Sequence, residues 1–104
     1  MPRPAPLVWT QPALDSLLEI LRYIQTDNPT AAHRFAEQIK SKVSRLADFP
    51  ASGRIVPEFP GSGLREIIVG NYRIIYRAAK RPPRVEILTV RHGARLLPGS
   101  VESP

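Results

Sequence analysis

The segment from Leu64 to Arg77, LREIIVGNYRIIYR, restricts this chain more than any other. Gly70 and Asn71 stand between two β-branched runs, and a Gly-Asn pair in that position marks a two-residue turn because both residues tolerate positive φ. A two-residue loop sets the register. Val69 falls opposite Tyr72, Ile67 opposite Ile74 and Arg65 opposite Tyr76, while Ile68 falls opposite Arg73, Glu66 opposite Ile75 and Leu64 opposite Arg77. The first set makes a mostly apolar face. The second puts Arg73, Arg77 and Glu66 among apolar neighbours, which predicts a sheet with its back on a core and a cationic front turned to an anionic partner.

Before the hairpin the period changes to that of helices. Residues 1–6 are a Pro-rich lead expected to be loose, and Leu7 to Trp9 a short strand. Thr10 can cap a helix whose first turn tolerates Pro12, and Leu14, Leu17, Leu18, Leu21 and Ile24 give it an apolar stripe to about Gln25. Asn28 and Pro29 open a second helix with Ala32, Phe35, Ala36, Ile39, Val43 and Leu46 on one side, stopped by Pro50. So short a joint predicts an antiparallel helical hairpin. Ser52-Gly53 reads as a turn, Arg54 to Val56 as a short extended piece and Pro60 to Gly63 as a loop. Beyond a basic turn at residues 80–83, Val85 to Arg91 is continuous in apolar and β-branched residues, which predicts a central strand buried on both faces. Residues 98–104 are expected to form a flexible tail after a single domain spanning 7–97.

A chain of 104 residues suits one core. Its net charge of +6 is uneven: 6 basic against 5 acidic residues up to Gly53, and 9 against 4 from Arg54 onward. That imbalance favours an acidic partner, with a solvated basic surface as the alternative. There is no cysteine for disulfide or thiol chemistry. No secretory signal and no membrane-length apolar run is read, which leads to the expectation of a cytoplasmic protein without membrane contact. Two histidines far apart give no metal-ligand spacing, Gly61 and Gly63 lack the context of a phosphate loop, and no cofactor is expected.

The order strand, two helices, three strands, together with VWTQPALDSLLEILRYI, DNPTAAHRFAEQI, LADFPASGRIVPEF, LREIIVGNYRIIYR and VEILTVRHGAR, resembles the RelE/ParE superfamily, the toxins of bacterial type II toxin–antitoxin systems. These stretches cover most of residues 7–95. The resemblance implies an α+β fold of order β-α-α-β-β-β, with a two-helix hairpin packed on a twisted, mainly antiparallel sheet. It also implies a cognate antitoxin that wraps and neutralises the toxin in a hetero-oligomer.

Members similar to RelE cleave mRNA on the ribosome, which requires proton transfer as well as charge stabilisation. The residues for such a reaction would be Arg65, Arg73, His92 and Glu58. Related nucleases often carry a tyrosine near the C-terminus, whereas here Gly93 follows His92 and no tyrosine lies beyond Tyr76. That departure resembles the ParE branch, whose members inhibit growth by poisoning DNA gyrase. The favoured reading is therefore a ParE-like gyrase poison without hydrolytic activity. An mRNA endoribonuclease is the alternative, and a degenerate member that only binds its antitoxin a third.

Candidates for target or antitoxin binding are Arg73, Arg77, Arg54, Arg91, Arg95, Leu17 and Leu21, the leucines because the first helix carries more apolar residues than one stripe needs. Each has a plainer reading. Arg73 and Arg77 can form surface ion pairs with Glu66, Arg54 can pair with Glu58, and Arg65 can send its guanidinium to solvent or to Glu58. His92 reads equally as a strand-end residue, His33 as exposed, and Tyr72 and Tyr76 as core.

Overall fold

Two side-chain caps decide where the helices begin in the structure, a computed structural model that describes residues 3–95 and 97. Thr10 Oγ1 accepts from the Ala13 N–H at 3.4 Å, and α1 runs Gln11–Asp27 with Pro12 in its first turn. Asn28 Oδ1 accepts from the Ala31 N–H at 3.0 Å, and α2 runs Pro29–Ser44. The Asn28 N–H also donates to Ile24 O at 2.9 Å, so one residue closes α1 and opens α2, and the helices fold back on one another. A 3₁₀ turn, Arg45–Ala47, ends the helical part ahead of Pro50.

Five strands form one sheet: β1 Leu7–Trp9, β2 Arg54–Ile55, β3 Leu64–Val69, β4 Tyr72–Lys80 and β5 Pro83–His92, in spatial order β1-β5-β4-β3-β2. All six hairpin pairs occur in the expected register, and Gly70 takes the positive φ the turn requires, 58°. The extended piece after Gly53 is β2, two residues paired antiparallel with β3. Only the β1–β5 pairing is parallel.

β5 departs from the expectation of a central strand buried on both faces. β4 is the middle strand, and β5 lies between it and β1. Val85, Ile87 and Val90 are buried on the helix side, whereas Arg84, Glu86, Thr89 and Arg91 line the other side and are only half-buried. A bulge at Leu88, between the Ile75–Thr89 and Tyr76–Ile87 pairs, keeps Ile87 and Val90 on one face despite their odd spacing.

The core joins Phe35, Ile39, Val43 and Leu46 of the helical part to Val69, Ile74, Tyr76, Val85, Ile87 and Val90 of the sheet. Leu17, Ile20, Leu21 and Ile24 of α1 pack against it. The lead does not stay loose at its inner end: Ala5 is buried, its N–H donates to Ala47 O at 2.8 Å, and Pro6 O accepts from the Val85 N–H at 2.8 Å. Backbone pairing to β5 outweighs the Pro-rich composition there. The expected tail at residues 98–104 lies outside the described residues.

A second apolar cluster, Val56, Ile75 and Leu97 with Phe59 and Leu64 against it, covers the opposite side of the sheet. The loop after β2 crosses that face. This cover determines the setting of the arginines.

Candidate functional site

Arg73 was expected on an open cationic front, yet it is 5 % exposed. The loop that seats Val56 against Ile75 brings Glu58 over the same face, and Arg73 meets it with both terminal nitrogens: Nη1 to Oε2 and Nη2 to Oε1, each 2.7 Å. Glu66, cross-strand on the same face, accepts from Arg73 Nε at 2.8 Å and again from Nη2. Arg95 O accepts from Nη1 at 3.2 Å. One guanidinium is thus shared by two buried carboxylates and a carbonyl.

The electrostatics follow from this enclosure. Hydrogen bonds from Arg73 hold the Glu58 carboxyl at a pKa of about 2, more than offsetting the upward push of desolvation, and the Leu97 N–H helps by donating to Oε2 at 3.2 Å. The same bonds push the Arg73 guanidinium upward from its ordinary value. Such a group is saturated with anions. It has no free donor edge to offer a phosphate or an acidic side chain.

Arg54 pairs through Nε with Glu66 rather than with Glu58, from a side chain 63 % exposed. Arg65 sends Nη1 to Gly53 O at 2.8 Å, so neither solvent nor Glu58 is its partner. Gly53 itself is held by Tyr76, whose hydroxyl accepts from the Gly53 N–H at 2.8 Å and donates to Pro50 O at 2.7 Å. A Cβ on Gly53 would come within 2.6 Å of the Tyr76 hydroxyl and 2.7 Å of Glu66 O, so the Ser-Gly-Arg sequence needs glycine for space. Burial pushes the Tyr76 hydroxyl above its ordinary pKa. These contacts fix the loop that carries Glu58.

His92 belongs to the other side. It pairs across the strands with Tyr72, and both lie on the helix face, with ring centroids 5.4 Å apart in an edge-on arrangement. Its Nδ1 accepts from the Ala94 N–H at 3.1 Å. Arg73 pairs with Arg91 and shares the outer face with Glu58. The four residues that a nuclease would use are therefore not gathered: Arg73 and Glu58 are on one face, and Arg65 and His92 on the other.

The remaining binding candidates also divide. Arg77 and Arg95 are exposed, and Arg91 is half-buried. Leu17 and Leu21 are packed against the core, while Leu14 and Leu18 are the exposed leucines of α1, at 38 % and 48 %. An α-helix turned slightly from the expected stripe gives this result, because Ile20 and Ile24 complete the inner row with Leu17 and Leu21. Arg91, His92 and Arg95 line a cleft of about 540 Å³ with Ser16, Glu19, Ile20 and Tyr23 of α1. Sequence reasoning missed the Arg73–Glu58 clamp, although apolar Leu64 and Ile75 beside Arg73 signalled a face that needed cover. Among the described residues, no three potential ligand side chains are placed to hold a metal, and no helix is long and apolar enough to cross a membrane.

Residues 7–97 match the family model described as the ParE toxin of the type II toxin–antitoxin system parDE. Toxin RelE2 of Caulobacter vibrioides is 39% identical over 93 residues, 88% of this chain and 99% of that protein. A Sinorhizobium fredii protein, Y4kP, is 42% identical over 94 residues, 86% of this chain and 90% of that one. Among solved structures, the chromosomal ParDE TA system from P. aeruginosa contains a chain that superposes with a TM-score of 0.71 at 19% identity, covering 85% of this chain and 95% of that one. The toxin–antitoxin complex RelBE2 from Mycobacterium tuberculosis contains another, with a TM-score of 0.58 at 23% identity over 86% and 98% of the two chains. These structures share the α+β fold: two helices on a five-stranded mixed sheet.

Proposed function

Since the chain belongs to the ParE toxin family of type II toxin–antitoxin systems, we propose that it arrests growth in the cytoplasm by binding DNA gyrase rather than by cutting RNA. A cognate antitoxin neutralises it in a hetero-oligomeric complex. The observation that carries the non-hydrolytic reading is the state of Arg73. A transition-state stabiliser must hold donors ready for charge that develops on the phosphate, and Arg73 has its donors committed to Glu58, Glu66 and a backbone carbonyl.

The proton-transfer side supports the same reading. A general base needs hydrogen-bond reach to the proton it removes, and His92 stands across the sheet from the Arg73–Glu58 pair. An mRNA endoribonuclease, the alternative, finds support in the name of the relative Toxin RelE2 but would need these faces to meet. Expression of the chain without antitoxin tests the proposal. DNA breaks and a DNA-damage response that precede any fall in translation are the expected outcome; mRNA cut at defined sites on translating ribosomes, with intact DNA, would refute it.

A further inference from the structure

We propose that the cleft between the second half of α1 and the outer edge of β5 binds a phosphate group carried by a nucleotide, without cleaving it. β1 covers β5 only at residues 85–87, so the edge from Thr89 to His92 borders α1 instead of another strand. Residues from both faces of β5 therefore reach the same cleft: Val90 and His92 from one side, Thr89 and Arg91 from the other.

The cleft carries unmatched positive charge, unlike the clamp beside it. Arg73 and Arg54 are matched by Glu58 and Glu66. Arg91 and Arg95 take part in no ion pair among the described residues, and Glu19, the one acidic residue of the cleft, pairs with neither. Arg91 also stands directly opposite Arg73 across the strands, a like-charge pairing that is unfavourable by itself and keeps its head away from the clamp. Its Nε is sealed from solvent and has no hydrogen-bond partner among the described residues. A buried donor of that kind is costly to leave unmade. An oxyanion in the cleft would satisfy it, and the guanidinium fork suits phosphate oxygens.

The rings identify the rest of the ligand. Tyr23 is 73 % exposed at the cleft, and Tyr72 and His92 pack edge-on beside it. An acidic peptide would use the arginines but has no need of three rings, whereas a nucleobase stacks on them. The volume of about 540 Å³ is adequate for a mononucleotide or dinucleotide. The proposal does not depend on gyrase being the cellular target.

Fluorescence anisotropy on the full chain tests it, with a 5′-phosphorylated thymidine dinucleotide labelled at its 3′ end as probe and inorganic phosphate as competitor. Arg91→Gln is expected to weaken the dinucleotide about tenfold or more, the worth of one charge-assisted contact, and Arg91→Lys to restore part of it. Tyr23→Ala is expected to weaken the dinucleotide while leaving competition by inorganic phosphate unchanged. Circular dichroism verifies that each variant is folded, and Arg34→Gln on the exposed side of α2 serves as the charge control. Equal affinity in Arg91→Gln and Arg34→Gln would overturn the site. Inorganic phosphate binding as tightly as the dinucleotide, or a Glu-rich peptide displacing the dinucleotide more effectively than unlabelled dinucleotide, would overturn the ligand. Recovery of the probe uncut is expected, and its cleavage would overturn binding without hydrolysis.

Discussion

Arg73 and Glu58 meet in a two-pronged pair, 2.7 Å through each guanidinium nitrogen, across a fifteen-residue separation. Both partners are buried, so removing one strands the other in a low-dielectric setting. Arg73→Gln is therefore expected to destabilise the fold by about 3–5 kcal/mol. Arg77→Gln, exposed on the same strand, is expected to cost under about 1 kcal/mol. Urea denaturation of the two variants measures the difference, and equal midpoints would contradict the buried clamp.

Acid should loosen the same pair. Glu58 titrates at about 2 in the folded protein against an ordinary value of 4.5. A depressed folded pKa contributes stability that is fully present above the unfolded value and lost as pH falls through the folded one. The window is thus from about 4.5 down to about 2, and the contribution about 3 kcal/mol. Stability measured by denaturant titration at several pH values should slope downward across that window, and Glu58→Gln should flatten the slope.

Gly53 has no room for a side chain. Gly53→Ala would drive a methyl into the Tyr76 hydroxyl and Glu66 O, with an expected loss of about 1–3 kcal/mol from overpacking. Tyr76→Phe removes the acceptor for the Gly53 N–H and the donor to Pro50 O, and should cost about 1–3 kcal/mol. Because the two residues touch, the double variant should be less destabilised than the sum. Thermal melts of the three proteins supply the comparison.

His92→Gln tests the proposed mode of action at a position where the fold is tolerant, since the side chain is exposed at the end of β5. Loss of a general base costs about 10² to 10⁴ in rate. A binding toxin should retain its growth inhibition within a few-fold in this variant. Toxicity that falls by orders of magnitude, with the melting temperature unchanged, would favour the nuclease reading.

Much of this arrangement is legible in the sequence where local physics decides it. Thr10 and Asn28 are short side chains with an acceptor at the right place, and both helices begin there. Gly70-Asn71 sets a register that all six pairs obey. What the sequence conceals is long-range: no local pattern shows that residues 56–59 fold over Ile75, and without that cover Arg73 reads as a surface charge. Arg91 on β5 and Arg95 beyond it, by contrast, form no ion pair among the described residues. The leucines of α1 are ambiguous for a similar reason, since its six leucines and isoleucines fit two adjacent stripes and only the position of the sheet chooses between them.

The parallel pairing of β1 with β5 joins Leu7 to Val85 and Val8 to Glu86. Synthesis proceeds at about 5–20 residues per second, so β1 waits roughly 4–16 s for the strand it needs. During that interval its edge is unpaired and α1 lacks a surface it packs on, because Ser16 and the Thr10 hydroxyl both dock on β5. The first strand and the first helix thus reach their final packing only after the last strand of the sheet has been made.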